Sequence, residues 1–168
     1  MNEKKLLLID AYALIYRAYY ALIRAPRFTS KGLNTSAIFG FCNSLEDVLR
    51  RETPSHVAVC FDPKGGTFRH DVYPEYKAQR EAQPEDITAS IPYIKEILDA
   101  NNITIIEIPG FEADDVIGIL SRKAEAEGYV TYMMTPDKDY CQLVSDNVFM
   151  YRPSSKGSGF ELRGVKEV

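Results

Sequence analysis

Three carboxylates fall within four positions in Gly110-Phe111-Glu112-Ala113-Asp114-Asp115-Val116-Ile117-Gly118, just ahead of an apolar-periodic run. Charges packed this closely repel one another, and nothing about folding alone requires them. A bound cation is one good reason for such a cluster. Four further acids follow short apolar runs. Asp10 closes Lys5-Leu6-Leu7-Leu8-Ile9-Asp10, and Asp62 closes His56-Val57-Ala58-Val59-Cys60-Phe61-Asp62. Asp137 and Asp139 come directly after Val130-Thr131-Tyr132-Met133-Met134, within Thr135-Pro136-Asp137-Lys138-Asp139. One acid at a loop start carries no information; four separate arrivals at the same position in an α/β pattern do. The candidate ligands are therefore Asp10, Asp62, Glu112, Asp114, Asp115, Asp137 and Asp139. No His or Cys joins them, which argues against zinc, whereas carboxylates supplemented by water suit Mg²⁺ or Mn²⁺. Two such ions ~3.5–4 Å apart form the usual clamp for phosphodiester hydrolysis, one lowering the pKa of the attacking water and one stabilising the leaving oxygen.

On the helix expected from Glu112 to about Glu127, Glu112 and Asp115 are three apart and share a face, while Asp114 is rotated about 100° from Asp115. Glu112 and Asp114 then have first claim on one ion. Asp115 either stands behind them or reaches a second ion through water. The helix N-terminus favours each carboxylate by only ~0.3–1 kcal/mol, less than their mutual repulsion unless cations bind.

A stretch of opposite charge is also present. Between Lys64 and Arg80 there are four Lys/Arg and two acids, interleaved with Phe68, Tyr73 and Tyr76. Basic residues among aromatics make a nucleic-acid contact surface. Arg69, His70, Lys77 and Arg80 are its candidate contacts, with Lys77, Arg80 and Arg69 placed to neutralise phosphate oxygens. Arg17 and Tyr20 also qualify as ligand-facing, because they lie off the stripe Tyr12, Tyr16, Tyr19 and Ile23 that is expected to pack on a sheet.

Around these residues the chain alternates strand and helix. Strands are expected at Lys5–Asp10, His56–Asp62, Ile103–Ile108, Val130–Met134 and Val148–Tyr151. Helices are expected at Tyr12–Ile23, from Asn34 or Thr35 to Arg51, at Ile87–Ala100, from Glu112 to about Glu127, and over Tyr140–Val144. Pro92 means that the third of these either begins near it or bends there. Arg152–Gly159 reads as a hairpin or loop. Alternation of this kind specifies an α/β domain with a mainly parallel sheet, whose ligand site lies outside the carboxyl ends of the strands. All seven acids belong at that edge.

The 168 residues suit a single domain with its own core. No unbroken apolar run is long enough to span a membrane, so a cytoplasmic protein is expected. Cys42, Cys60 and Cys141 are too widely spaced for a metal motif and read as reduced packing residues. The net charge is −4; without the seven candidate ligands the chain would be net positive, so overall acidity does not exclude a polyanionic partner. A haloacid-type phosphatase would need a second Asp two residues after the first, and Asp10-Ala11-Tyr12 lacks it.

Taken in order, Asp10 with Tyr16-Arg17-Ala18, Phe61-Asp62, Thr67-Phe68-Arg69-His70, Tyr76-Lys77-Ala78-Gln79-Arg80, Gly110-Phe111-Glu112-Ala113-Asp114-Asp115 and Asp137-Lys138-Asp139-Tyr140-Cys141-Gln142-Leu143 resemble the 5′ nuclease domain of bacterial DNA polymerase I, of the flap-endonuclease group. The resemblance spans almost the whole chain. It implies a PIN-like fold and structure-dependent 5′→3′ exonuclease and flap cleavage of DNA with two Mg²⁺ or Mn²⁺ ions, in primer removal and repair. By the same resemblance, Asp10, Asp62, Glu112 and Asp114 would serve a first metal and Asp137 and Asp139 a second, with Asp115 near both. Lys77 and Arg80 would contact the scissile phosphate region, and Tyr16 and Tyr20 the terminal bases. The family pattern continues with more aspartates and a helix-hairpin-helix-like module. The chain is thus expected to be the N-terminal metal-binding part of such a domain, monomeric, nucleoid-associated and linked to a polymerase region. A PIN-type ribonuclease and a non-catalytic DNA-binding fragment are the competing expectations.

Overall fold

The computed structural model describes residues 4–65, 67–73, 75–76, 82–154 and 159–168, with His70 by its backbone alone. Six strands form one sheet: β1 (Lys5–Asp10), β2 (His56–Phe61), β3 (Thr104–Glu107), β4 (Val130–Met134), β5 (Val148–Pro153) and β6 (Phe160–Arg163). Their spatial order is β3-β2-β1-β4-β5-β6. All neighbours are parallel except the last pair, β5 and β6, which run antiparallel. The stretch expected as a hairpin or loop therefore joins these two strands, although residues 155–158 lie outside those described.

Side chains alternate across the pleat, so each strand feeds two cores. Leu7 and Ile9 of β1, Val59 and Phe61 of β2 and Met134 of β4 face one layer of helices: α1 (Ala11–Ala21), α2 (Ser36–Glu52) and α4 (Glu85–Ala100). Leu8, Ala58, Cys60 and Met133 face α5 (Ala113–Ala126) on the other side. A short helix, α3 (Phe68–Val72), follows β2. The α/β class and the mainly parallel sheet match the sequence expectation. Among the described residues no helix is long and apolar enough to cross a membrane.

The chain runs β1 to β2 to β3 in one direction and then crosses back over β1 to β4. The order of strands reverses between β1 and β4, where the connections leave in opposite directions and open a crevice at the carboxyl ends. Asp10 ends β1, and Thr135 follows β4 beside it, since Ile9 pairs with Met134.

Several local expectations are corrected. The first helix buries Ala11, Leu14, Ile15 and Ala18; Tyr12, Tyr16 and Tyr19 pack against the same core, half-buried beside this face, and only Ile23, past the helix, is exposed. Small residues let α1 approach its neighbours closely, which a row of tyrosines would prevent. Helix α4 starts at Glu85 and passes through Pro92, so it does not begin there. The proline leaves the Thr88 carbonyl without an intrahelical donor, and Thr88 is exposed, where water can serve it. After β4, the expected helix over Tyr140–Val144 is a 3₁₀ turn, Lys138–Leu143.

Helices α1 and α2 touch at Gly40, where an added Cβ would stand 2.7 Å from the Cβ of Ala18. Gly118 in α5 is different: its Cβ would meet only the methyls of Leu143 at 3.6 Å. Gly40→Ala should therefore cost about 1–3 kcal/mol of stability by overpacking, while Gly118→Ala should gain about 0.5–1 kcal/mol from helix propensity. Denaturant midpoints of the two variants moving in the same direction would contradict this packing.

Candidate metal centre at the carboxyl edge of the sheet

Asp10 is the N-cap of α1 as well as the end of β1. Its Oδ1 accepts the Ala13 N–H at 3.2 Å. Its Oδ2 accepts the hydroxyls of Thr135 and Tyr140, each at 3.2 Å. Both hydroxyl residues are buried, Tyr140 with 2% exposure. Burial pushes the Asp10 carboxyl up to about 6 from its usual 3.8, and the charge of Asp62 adds to this, while the three hydrogen bonds oppose it. Burial, with help from Asp10, likewise pushes the Cys60 thiol up to about 12 and raises the Tyr140 phenol.

Asp62 is the first residue past β2. Its Oδ1 accepts the N–H of Ala113, the first residue of α5, at 2.7 Å. The carboxylate of one strand end thus satisfies an otherwise unpaired donor at the start of a helix from another. Glu112 is the N-cap of α5 and forms a reciprocal capping box with Asp115. The Glu112 N–H donates to Asp115 Oδ2 at 3.1 Å, and Tyr76 donates its hydroxyl to Glu112 Oε2 at 3.2 Å. Glu112 is 5% exposed. Asp114 is open to solvent, yet its carboxyl is raised, first by burial around it and then by the charges of Asp115 and Glu112. Asp137 caps the 3₁₀ turn, with Oδ1 accepting the Asp139 N–H at 2.9 Å.

A cavity of about 720 Å³ opens over the strand ends, with Asp10, Asp62, Glu112, Asp114 and Asp137 in its wall. Asp115 and Asp139 do not line it. They line a second depression of about 310 Å³ that shares only Asp114 and Tyr140 with the first. The seven acids expected at one edge are all there, but they divide five to two, with Asp114 facing both hollows. Among the described residues, no three of them stand close enough to form a ready-made ion cage. Asp10, Asp62, Glu112, Asp115 and Asp137 have local partners instead, an amide, a hydroxyl or a guanidinium. The donors in the large cavity are oxygens with room for water, and among the described residues no His or Cys lines it. This donor set fits hard divalent cations held in part through water.

The other expected site residues separate clearly. Tyr16 lines the cavity and donates to Gln83 Oε1 at 3.3 Å; Tyr20 lines it too and stacks edge-on against Tyr19. Arg17 does not line it: its guanidinium lies over the Phe160 ring at 5.4 Å. The turn of α1 carries Arg17 toward β6, away from the cavity wall. Phe68 packs on Phe111, with ring centroids 5.8 Å apart. Arg69 forks Asp115, which raises its already high pKa further. Lys77 and Arg80 lie outside the described residues, as does the side chain of His70. Thr135, Tyr140 and the Arg69–Asp115 pair were not anticipated as parts of the site. Only the pairing of β1 with β4 brings the first two to Asp10.

Solved structures and curated relatives now locate this arrangement. The T5 5′-exonuclease bearing divalent metal ions (zinc) superposes with a TM-score of 0.64 at 18% identity, covering 88% of this chain and 55% of that one. The catalytic core of Rad2 in complex with DNA substrate does so with a TM-score of 0.56 at 18% identity, covering 98% and 49%. These likenesses define the class of fold, a PIN-like α/β domain. DNA polymerase I of Mycobacterium tuberculosis is 45% identical over 148 residues, 88% of this chain and 16% of that protein. A 5′-3′ exonuclease of Aquifex aeolicus is 41% identical over 150 residues, 89% of this chain and 51% of that protein. The chain thus spans about half the length of the one relative and under a fifth of the other. The family model of the 5′-3′ exonuclease N-terminal resolvase-like domain matches residues 5–168, and the chain belongs to that family.

The raised Asp10 carboxyl has a defined sign for stability. Its folded pKa of about 6 lies above the usual 3.8, so its contribution is fully present below about pH 4 and is lost as pH rises through 6. In EDTA, Asp10→Asn should gain on the parent protein by on the order of 3 kcal/mol between pH 4 and pH 8. Parallel pH profiles of melting temperature for the two proteins would contradict this environment for Asp10.

Proposed function

We propose that the chain is the metal-binding part of a structure-dependent 5′→3′ DNA nuclease, acting as exonuclease and flap endonuclease on DNA with a 5′ flap, a nick or a free 5′ end. One observation carries the reading: five carboxylates from four separate chain segments converge on one cavity at the carboxyl edge of the sheet, in a chain of the 5′-3′ exonuclease family. Likeness to the T5 D15 flap endonuclease, solved in a complex with DNA and metal ions, supports the same substrate class.

Asp10, Asp62, Glu112, Asp114 and Asp137 would hold Mg²⁺ or Mn²⁺, with Asp115 and Asp139 next to them beyond Asp114. Bound ions supply an attacking water of lowered pKa and positive charge for the leaving oxygen. The chain supplies the positioning. Thr135 and Tyr140 hold Asp10, the Ala113 N–H holds Asp62, and the capping box holds Glu112, so three carboxylates from three segments keep fixed orientations. Tyr16 and Tyr20 at the cavity offer rings against which a terminal base can stack. Lys77 and Arg80 follow Tyr76 in sequence, and their cationic groups suit the phosphates on either side of the scissile bond. In the longer protein a polymerase region would follow, and the work would be primer removal and repair, in the cytoplasm, by a monomer.

A 5′-flap duplex incubated with Mg²⁺, Mn²⁺ or EDTA tests this, using the chain itself and a chimera that adds the C-terminal half of the A. aeolicus exonuclease. Divalent-dependent cleavage by the chimera is expected. Asp114→Ala should lower it by on the order of 10²-fold or more while most DNA binding is kept. Cleavage of single-stranded RNA with no cut in flap DNA would favour a PIN-type ribonuclease. Flap binding without cleavage in either metal would overturn the nuclease reading.

A further inference from the structure

Arg69 reaches the start of α5 from α3. Its Nη1 stands 2.6 Å from Asp115 Oδ2 and its Nη2 2.7 Å from Asp115 Oδ1, a two-pronged pairing. The same Nη1 is 3.5 Å from Glu112 Oε2, and Nη2 is 3.9 Å from Asp114 Oδ1. One guanidinium therefore faces all three acids of the cluster. Its own segment is fastened to the same place by contacts that do not involve the guanidinium. The Phe68 N–H donates to the Gly110 carbonyl at 3.0 Å, the Phe68 ring packs on Phe111, and Tyr76 bonds to Glu112. Asp115 is meanwhile the partner of Glu112 in the capping box. Whatever holds Asp115 also holds the N-cap that turns Glu112 into the cavity.

We propose that Arg69 is a positioning residue that acts as an internal counter-cation: it occupies Asp115, keeps the acidic helix start assembled without divalent ions, and competes with such ions for the charge of Glu112 and Asp114. The proposal rests on the reading that these carboxylates take divalent ions. Two features support it. Three acids at one helix start are tolerable only with positive charge nearby. A planar fork, unlike a Lys ammonium, can satisfy both oxygens of one carboxylate while leaning toward two others. When an ion enters, Asp115 keeps its arginine and Glu112 and Asp114 shift their charge to the ion.

The test is Mn²⁺ binding and melting temperature for the parent protein, Arg69→Ala, Arg69→Lys and, as a control of equal charge change, Arg122→Ala near the other end of α5. In EDTA, Arg69→Ala should melt several degrees lower than the parent. Saturating Mn²⁺ should remove most of that deficit, because the ion replaces the missing charge. Titration of Mn²⁺ by calorimetry should show roughly tenfold tighter binding by Arg69→Ala, an intermediate change for Arg69→Lys, and none for Arg122→Ala. A purely structural arginine would leave the same melting deficit in EDTA and in Mn²⁺, and that result, or weaker Mn²⁺ binding by Arg69→Ala, overturns the proposal. If Arg69→Ala does not fold, Arg69→Lys decides, with Mn²⁺ binding equal to the parent's counting against the role. Mn²⁺ that shifts neither parent nor variants defeats the metal reading itself, whereas equal shifts in all of them defeat only the role of Arg69.

Discussion

Like charge brought to one edge of a parallel sheet is the constraint on which the rest of this molecule depends. Parallel strands bring their carboxyl ends to the same edge, and there stand Asp10 at the end of β1, Asp62 just past β2 and Asp137 a few residues past β4. Their repulsion has to be met locally, and among the described residues three devices meet it. Helix starts donate amides: Ala13 to Asp10 and Ala113 to Asp62. Buried hydroxyls donate to Asp10 from Thr135 and Tyr140. One guanidinium is spent on Asp115. Burial keeps the carboxyls of Asp10 and Asp114 raised, and neighbouring acids add to this. On the reading proposed above, divalent cations would meet the charge these groups leave unbalanced.

The topology decides where this charge collects. Strand order reverses between β1 and β4, so the crevice opens beside Asp10 and not at a sheet margin. Helix α5 connects β3 to β4 across the face opposite α1, α2 and α4, and its N-terminus arrives over the end of β2. Glu112 and Asp114 are thereby set against acids from strands distant in sequence. The two cores hold these elements rigidly, with Leu7, Ile9, Val59 and Phe61 on one side and Leu8, Cys60 and Met133 on the other. A site made of five acids from four segments needs such backing, because the acids themselves oppose it.

Much of this was legible in the residues. Apolar runs ending in Asp10 and Asp62 carry both strand and ligand in one local signal, and the Glu112–Asp115 cluster announces itself by its charge. Less visible was everything that depends on which strands are neighbours. Thr135 and Tyr140 look like an ordinary turn threonine and an ordinary core tyrosine until β4 is known to lie beside β1. Arg69 reads as a phosphate contact from composition, yet its fork meets Asp115, a pairing across 46 positions that no periodicity reveals. The tyrosine stripe of α1 packs on the core half-buried, but the fully buried face lies beside it, because the tight approach to α2 at Gly40 selects Ala18 over larger neighbours. Pro92 suggested a helix boundary, and the apolar stripe Ile87, Ile94 and Leu98 overrode it.

The central claim is that carboxylates from four chain segments make one divalent-ion centre over the β1–β4 crevice. Anomalous diffraction from crystals of this chain soaked in Mn²⁺ tests it most directly. The account predicts Mn²⁺ density within the cavity bounded by Asp10, Asp62, Glu112, Asp114 and Asp137. Crystals that bind Mn²⁺ elsewhere and leave that cavity without it would contradict the account.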